Sequence, residues 1–277
     1  MNFTINSYAY KTRINNFPTG ELGVVIPTNL PEHINELIIH FDWRNYGNGG
    51  VIVVAQILEA IKTHYRGIPY QTVLELPYVP YSRQDRACHV GESFSLKVFA
   101  QMINAMNFTR VVTWDNHSLV ATALLNNCVD IHQKTFIRKC TELSKQIADH
   151  KMILISPDAG ALKKTHEISD TFGGTQIGQG VKLRDPDTGV IHAGISNPSL
   201  ILRNFKFLIV DDICDGGGTF IALAKAIRAI NPKAELHLYV THGFFTKGLD
   251  ELLHYYKTIT TTASVCTAEH EQLTVIY

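Results

Sequence analysis

Apolar residues along this chain follow two rhythms that alternate. Val51–Thr63 and Ser95–Met106 carry them at helical spacing, whereas Arg110–Trp114 is a short β-branched run of the kind that forms a buried strand. The alternation resumes with a helix over Phe136–His150, strands over Met152–Ile155 and Phe207–Val210, a helix over Thr219–Ile230 and a strand over Leu236–Val240. Such a pattern predicts an α/β fold, with mostly parallel sheets flanked by helices. Three of the strands run into polar clusters: Trp114 into Asp115-Asn116-His117, Ile155 into Ser156-Pro157-Asp158-Ala159-Gly160, and Val210 into Asp211-Asp212. Ligands in open α/β sheets gather outside the carboxyl ends of strands, which makes these clusters the first candidates for chemistry. Gly173–Asn197 is rich in Gly, Asp and Asn without a sustained period and reads as a long loop or an irregular hairpin, which at this length is usually a functional lid or disordered. A boundary near residues 133–136 divides the chain into two α/β halves, 1–134 and 135–277.

Composition narrows the function. The 277 residues are 45% hydrophobic and 18% charged, enough for substantial cores, with 25 Lys+Arg balanced by 25 Asp+Glu. That balance argues against a surface built to neutralise nucleic-acid phosphates, while leaving room for a local anion site. Cys88, Cys128, Cys140, Cys214 and Cys266 are odd in number and lack C-x-x-C spacing, so neither a disulfide framework nor a cysteine-rich zinc site is indicated, and a reducing cytosol fits. The most apolar stretch, Val51–Ile61, is interrupted by Gln56 and Glu59 and is too short to span a bilayer, and no N-terminal run has the make-up of a signal peptide. The expectation is a soluble cytoplasmic protein with no membrane and no nucleic-acid partner.

The densest chemical pattern is Phe207-Leu208-Ile209-Val210-Asp211-Asp212-Ile213-Cys214-Asp215-Gly216-Gly217-Gly218-Thr219, followed by the helical period of Ile221, Leu223, Ala224 and Ile227. A strand ending in two carboxylates leads into a glycine loop that opens a helix. Glycines let the backbone approach a ligand, and the helix-start amides suit a phosphate. Carboxylates beside such a cradle make sense if they bind sugar hydroxyls or a magnesium ion. The structural alternative is a tight turn in which Asp215 or Thr219 caps the helix. No Lys-Ser or Lys-Thr follows the glycines, so this is not a P-loop.

This segment resembles the ribose-phosphate loop of type I phosphoribosyltransferases and of ribose-phosphate diphosphokinases. Leu76-Pro77-Tyr78-Val79-Pro80-Tyr81-Ser82-Arg83-Gln84-Asp85-Arg86, with Gly91-Glu92 and Ser95-Leu96-Lys97, resembles the diphosphokinase signature in particular, whose Arg-Gln-Asp-Arg grips ATP. Physically, two planar guanidinium donors and a neutral amide suit triphosphate oxygens, although the same residues can form a surface ion-pair cluster. Asp115-Asn116-His117 is similar to the family's Asp-Leu-His, and Ser156-Pro157-Asp158-Ala159-Gly160 to its Ser-Pro-Asp-x-Gly. Lys182-Leu183-Arg184 matches the Lys-x-Arg of its flexible catalytic loop, and Thr241-His242-Gly243 matches the segment after the next strand. The matches keep the family's order from about Phe17 to about residue 262.

The resemblance implies two phosphoribosyltransferase-type domains, an N-terminal one for ATP and a C-terminal one for ribose 5-phosphate. It implies transfer of the diphosphoryl group of ATP to the anomeric hydroxyl of ribose 5-phosphate, giving phosphoribosyl diphosphate and AMP. Phe17, Glu21, Arg83, Gln84 and Arg86 would bind ATP. Asp211, Asp212, Asp215, Gly216, Gly217, Gly218 and Thr219 would bind ribose 5-phosphate. His117 and Asp158 would hold Mg2+ on the ATP phosphates, and Lys182 and Arg184 would act as charge develops. The family's Phe-Gly-Glu loop reaches a neighbouring subunit's adenine, which implies a homo-oligomer, a dimer or higher. Two departures stand out. Thr19 occupies a position where the family has an acid, and Gly216 one where it usually has Thr, so that a hydroxyl contact to the 5-phosphate is missing while the amides remain. The rival readings are a catalytically weak regulatory paralogue and a phosphoribosyltransferase that consumes phosphoribosyl diphosphate.

Overall fold

Phe3 and Ile5 face inward from the first strand, β1 (Asn2–Ile5), which lies antiparallel between β2 (Tyr8–Lys11) and β5 (Glu36–His40). Between them in sequence, β3 (Arg13–Asn16) and β4 (Leu22–Val25) form a separate two-stranded hairpin. The sheet continues from β5 through β6 (Gln71–Leu76), β7 (Arg110–Trp114) and β8 (Cys128–Ile131), all parallel. Helices α1 (Trp43–Tyr46), α2 (Gly50–His64), α3 (Ser95–Asn104) and α4 (Leu119–Leu124) connect these strands. On α2 the buried residues Val53, Val54, Ile57, Leu58 and Ile61 recur at helical spacing and seal one face of the core. These elements make up one compact unit, Met1–Ile131. The computed structural model describes residues 1–184, 191–203 and 205–277, and for residues 182–184, 191 and 192 the backbone alone.

The second unit, His132–Tyr277, holds a seven-stranded sheet in the order β11-β10-β9-β12-β13-β14-β15. Its strands are β9 (Met152–Ser156), β10 (Ile177–Arg184), β11 (Ile191–Ile195), β12 (Lys206–Cys214), β13 (Glu235–Gly243), β14 (Thr258–Thr262) and β15 (Leu273–Ile276). All neighbours are parallel except the β10–β11 hairpin. Around them lie α5 (Gln133–Lys139), α6 (Thr141–Ala148), α7 (Leu162–Thr171), α8 (Pro198–Ile201), α9 (Gly218–Ile230) and α10 (Asp250–Tyr255). Every residue of β9 is buried, and so is every residue of β13 after Glu235, as expected of parallel strands covered on both faces. The α/β class is therefore as expected.

Three details differ from the sequence reading. The helix expected over Phe136–His150 is two helices, broken where Cys140 adopts an extended backbone with φ −86° and ψ 90°. The strand expected to stop at Val210 runs on to Cys214, so Asp211 and Asp212 lie within β12 and not beyond it. The glycine-rich stretch is the hairpin alternative: β10 pairs with β9 on one side and β11 on the other, with Lys182 opposite Ala193 and Arg184 opposite Ile191. Its glycines answer to packing. A Cβ at Gly180 would collide with the Pro157 carbonyl, and one at Gly178 would lie 2.6 Å from Ile155 Cδ1.

Candidate active site

In the second unit, parallel β9 and β12 are neighbours and deliver their carboxyl ends side by side. The turn after β9 carries Asp158, whose Oδ1 accepts the amides of Gly160 at 2.8 Å and Ala161 at 3.1 Å and so shapes the entry to α7. Asp211 and Asp212 are consecutive on β12, and their side chains interact directly. Asp211 Oδ1 accepts the Asp212 amide at 2.9 Å, and its carbonyl accepts Nε2 of Gln133 at 2.5 Å. Asp212, 5% exposed, pairs with Lys164 on the first turn of α7 at 3.4 Å. Burial, then the charge of Asp212 and also that of Asp158, push the Asp211 carboxyl well above the usual carboxylate range. Lys164 and Gln133 were not singled out from the sequence. The signal available for Lys164 was its place one helical turn beyond Ser-Pro-Asp-x-Gly.

The loop that follows has the backbone geometry that an anion cradle requires. Gly217, and not Gly216, takes the left-handed backbone with φ 78°, and it stands at the N-terminus of α9 with no side-chain hydrogen bond capping the helix. The capping alternative for Asp215 and Thr219 therefore falls away. Asp215 is held from the neighbouring loop, where Thr246 donates its amide to the Asp215 carbonyl at 3.1 Å and its hydroxyl to Oδ1 at 2.7 Å. Gly218 and Thr219 are exposed at the helix start, with orphan amides and the positive end of the helix dipole facing solvent. Cys214, buried beneath, has its thiol pushed up to about 12 by burial and the carboxylates nearby, which leaves it inert as a nucleophile. The Thr241-His242-Gly243 segment lies inside the sheet, where the Thr241 carbonyl accepts the Thr262 hydroxyl at 2.6 Å and the His242 ring meets the Ser264 hydroxyl at 2.8 Å. Register places Gly243 opposite Cys214, so this buried network underpins the cradle.

In the first unit the carboxyl ends of neighbouring β6 and β7 come together in the same way. After β6 the chain turns through Tyr81, with φ 62°, and exposes Arg83, Gln84 and Arg86. Arg86 forms a two-pronged bond to Asp85 at 2.8 and 3.1 Å. That bond, with additions from Ser118 and His117, draws the Asp85 carboxyl below its ordinary range. Asp85 thus joins the Arg-Gln-Asp-Arg segment to the exposed His117 at the end of β7. Phe17 and Glu21 close the β3–β4 hairpin, the Phe17 amide donating to the Glu21 carbonyl at 3.0 Å, and Phe17 remains 49% exposed. Gly23 makes room for the Phe17 ring, since a Cβ there would lie 2.8 Å from it. Thr19 donates its hydroxyl to Glu21 at 2.8 Å, a bond that an acid at this position would replace with repulsion. The side chains of Lys182 and Arg184 lie outside the described residues.

Among the described residues no cluster of three or more His, Cys, Asp or Glu could hold a metal by itself. Asp158, Asp211 and Asp212 nevertheless gather at two neighbouring strands, the Asp211 carboxyl raised by burial and by the charges of the other two. This donor set suits a magnesium ion that keeps waters and substrate phosphate oxygens, not an all-protein cage.

Parallel sheets with a carboxylate-bearing strand, a glycine loop and a helix N-terminus define a phosphoribosyl transferase domain. The family model for that domain matches residues 130–271, and the chain belongs to this family. Beyond the domain, the chain is similar to curated ribose-phosphate pyrophosphokinases. That of Ureaplasma parvum serovar 3 is 28% identical over 233 residues, 84% of this chain and 68% of the relative. That of Aquifex aeolicus is 26% identical over 237 residues, covering 84% and 71%, and that of Mycoplasma pneumoniae 30% identical over 193 residues, covering 69% and 56%. This chain thus spans only about half to two thirds of the length of several relatives. The crystal structure of phosphoribosylpyrophosphate synthetase from Mycobacterium smegmatis shares the fold, with a TM-score of 0.79 at 19% identity over 96% of this chain and 86% of that one.

Proposed function

We propose that this chain is a ribose-phosphate diphosphokinase. The anomeric hydroxyl of ribose 5-phosphate attacks the β-phosphorus of ATP, the new oxygen–phosphorus bond forms as the bond to AMP breaks, and the hydroxyl proton is released. The observation that carries the reading is that similarity to pyrophosphokinases extends over 233 residues, well beyond the family-model match, and so takes in the Arg83–Arg86 segment that simple phosphoribosyltransferases lack. It disfavours the phosphoribosyl-diphosphate-consuming alternative. The regulatory-paralogue alternative gains nothing from Thr19 or Gly216, since each is accommodated by local packing.

In this reading the cradle from Asp215 to Thr219 takes the 5-phosphate, while Asp211 and Asp212 orient the ribose hydroxyls. Arg83, Gln84 and Arg86 take the triphosphate of ATP, with Phe17 and Glu21 against adenine. Magnesium would supply charge neutralisation on the phosphates, with His117 of the first unit and Asp158 of the second as candidate protein donors. Such a transfer needs positioning and charge stabilisation more than covalent help. The half-exposed Phe17 at a hairpin tip supports a homo-oligomer, at least a dimer. Among the described residues no helix is long and apolar enough to cross a membrane, and a cytoplasmic location remains part of the proposal. The test is a coupled assay for AMP with ribose 5-phosphate, ATP and magnesium. Activity is expected, with loss on chelation, and inactivity across phosphate concentrations would transfer the case to the regulatory paralogue. Light scattering of the purified protein tests the oligomer.

A further inference from the structure

Gly216 and Lys247 share one volume. A Cβ built on Gly216 would lie 3.2 Å from both Cδ and Cε of Lys247 and 3.3 Å from its Cγ. The lysine stem therefore runs alongside the bare backbone of the cradle, and its ammonium, one bond beyond Cε, stands at the loop. The position is built and not incidental. Lys247 follows Thr246, which is bonded twice to Asp215, and the Phe244 amide donates to the Cys214 carbonyl at 2.8 Å, so the loop bearing the lysine is fastened to the loop bearing the glycines. Gly248, at φ 78°, turns the chain away directly after the lysine. Among the described residues the Lys247 ammonium forms no ion pair, and its side chain is exposed.

The charges around the cradle make this cation consequential. The glycine amides offer only partial positive charge, and the carboxylates of Asp212 and Asp215 precede them along the chain. A sugar phosphate approaching them carries up to two negative charges. Resting on the proposed function, we infer that Lys247 is a further substrate-binding residue, whose ammonium pairs with the 5-phosphate of ribose 5-phosphate. Gly216 is the complementary half of the device: without a side chain there, the lysine stem can lie along the loop. A hydroxyl donor at position 216 has been exchanged for a full charge reaching in from position 247.

The test compares wild type with Lys247→Met, which keeps the stem and removes the charge, and with Lys247→Arg, which keeps the charge. Ribose 5-phosphate binding is measured by calorimetry, and KM and kcat by the coupled assay. Lys247→Met is expected to raise the Kd and KM for ribose 5-phosphate about tenfold while leaving kcat and the KM for ATP nearly unchanged, with Lys247→Arg recovering most of the loss. Inorganic phosphate, as a competitor, should lose affinity in the same proportion. If Lys247→Met binds and turns over ribose 5-phosphate as wild type does, the Lys247 assignment is overturned while the proposed function stands. If wild type itself neither binds nor converts ribose 5-phosphate, the proposed function fails and this assignment with it.

Discussion

Lys164 sets its ammonium 3.4 Å from Asp212 Oδ2, on the helix that begins just after Asp158. The pair ties the turn after β9 to the interior of β12, so two segments with carboxylates are held in register by one cation. Asp212 is 7% exposed at its side chain and Lys164 26%, which places the pair between surface and core. Its value lies chiefly in compensating a carboxylate that would otherwise be left nearly buried beside Asp211.

Removing that compensation should therefore cost more than a surface ion pair is worth. Breaking a fully buried pair costs about 3–5 kcal/mol, an exposed one under about 1 kcal/mol. Lys164→Met is expected to fall between them, at about 2 kcal/mol, read as a lower urea midpoint with an unchanged slope. Lys164→Arg should recover most of it. A Met variant as stable as wild type would show that Asp212 draws its compensation from elsewhere.

Asp211 gives the ligand-free protein a pH dependence. Its carboxyl is raised from 3.8 to about 8, so the folded chain holds the proton more tightly than the unfolded one. Below about pH 4 both states are protonated and the group is neutral in its effect on folding. As pH rises toward 8 the unfolded state releases its proton while the folded state keeps it, and stability declines through that window. Asp211→Asn removes the decline. Its Tm should exceed that of wild type by about 4 °C at pH 8, for about 1–2 kcal/mol relieved, and by less at pH 5. Thermal melts at the two pH values check this, and an equal difference at both would rule out titration of Asp211 as the cause.

The sequence shows some of this architecture plainly and hides the rest for physical reasons. Arg110–Trp114 was legible to the residue because a β-branched run between a helix and a polar cluster has one reading. The break at Cys140 was not, because Phe136, Ile137, Leu143 and Ile147 keep a helical period straight across it and neither Gly nor Pro marks the turn. In β10 the composition points toward a loop, whereas Gly178 and Gly180 are required by the close approach of Ile155 and Pro157, a fact of tertiary packing. Motifs contiguous in sequence, such as Asp211 to Thr219, could be found from the chain alone. Gln133 and Lys247 reach the same region from other segments, and no local spacing connects them to it, whereas Lys164 is signalled only by its place one turn beyond Ser-Pro-Asp-x-Gly.

Lys182 belongs to β10, with its backbone opposite Ala193. In the proposed reaction it meets charge that develops on the transferring group, a contact stronger in the transition state than in the ground state. Lys182→Ala should then lower kcat by on the order of 100-fold and change KM much less. Steady-state titration of both substrates separates the two parameters. An unchanged kcat would remove Lys182 from the mechanism.

Gly216→Thr sets two effects against each other. Because Gly216 lies outside the left-handed region, threonine's backbone is tolerated there, and the new hydroxyl could donate to the 5-phosphate. Its Cβ, however, would stand 3.2 Å from Lys247 Cδ and Cε before Oγ and Cγ are added, so the lysine stem must swing away. Both groups would donate to a charged phosphate, each bond worth about 1.5–3 kcal/mol, but the ammonium also brings a full opposite charge, so losing it outweighs gaining the hydroxyl. The single variant should raise the KM for ribose 5-phosphate several-fold. In the Lys247→Ala background the clash is absent and only the hydroxyl remains, so the same substitution should lower KM there. This change of sign corresponds to a coupling energy of about 1 kcal/mol or more in a double-mutant cycle. Equal effects of Gly216→Thr in both backgrounds would mean that the two residues do not share the phosphate.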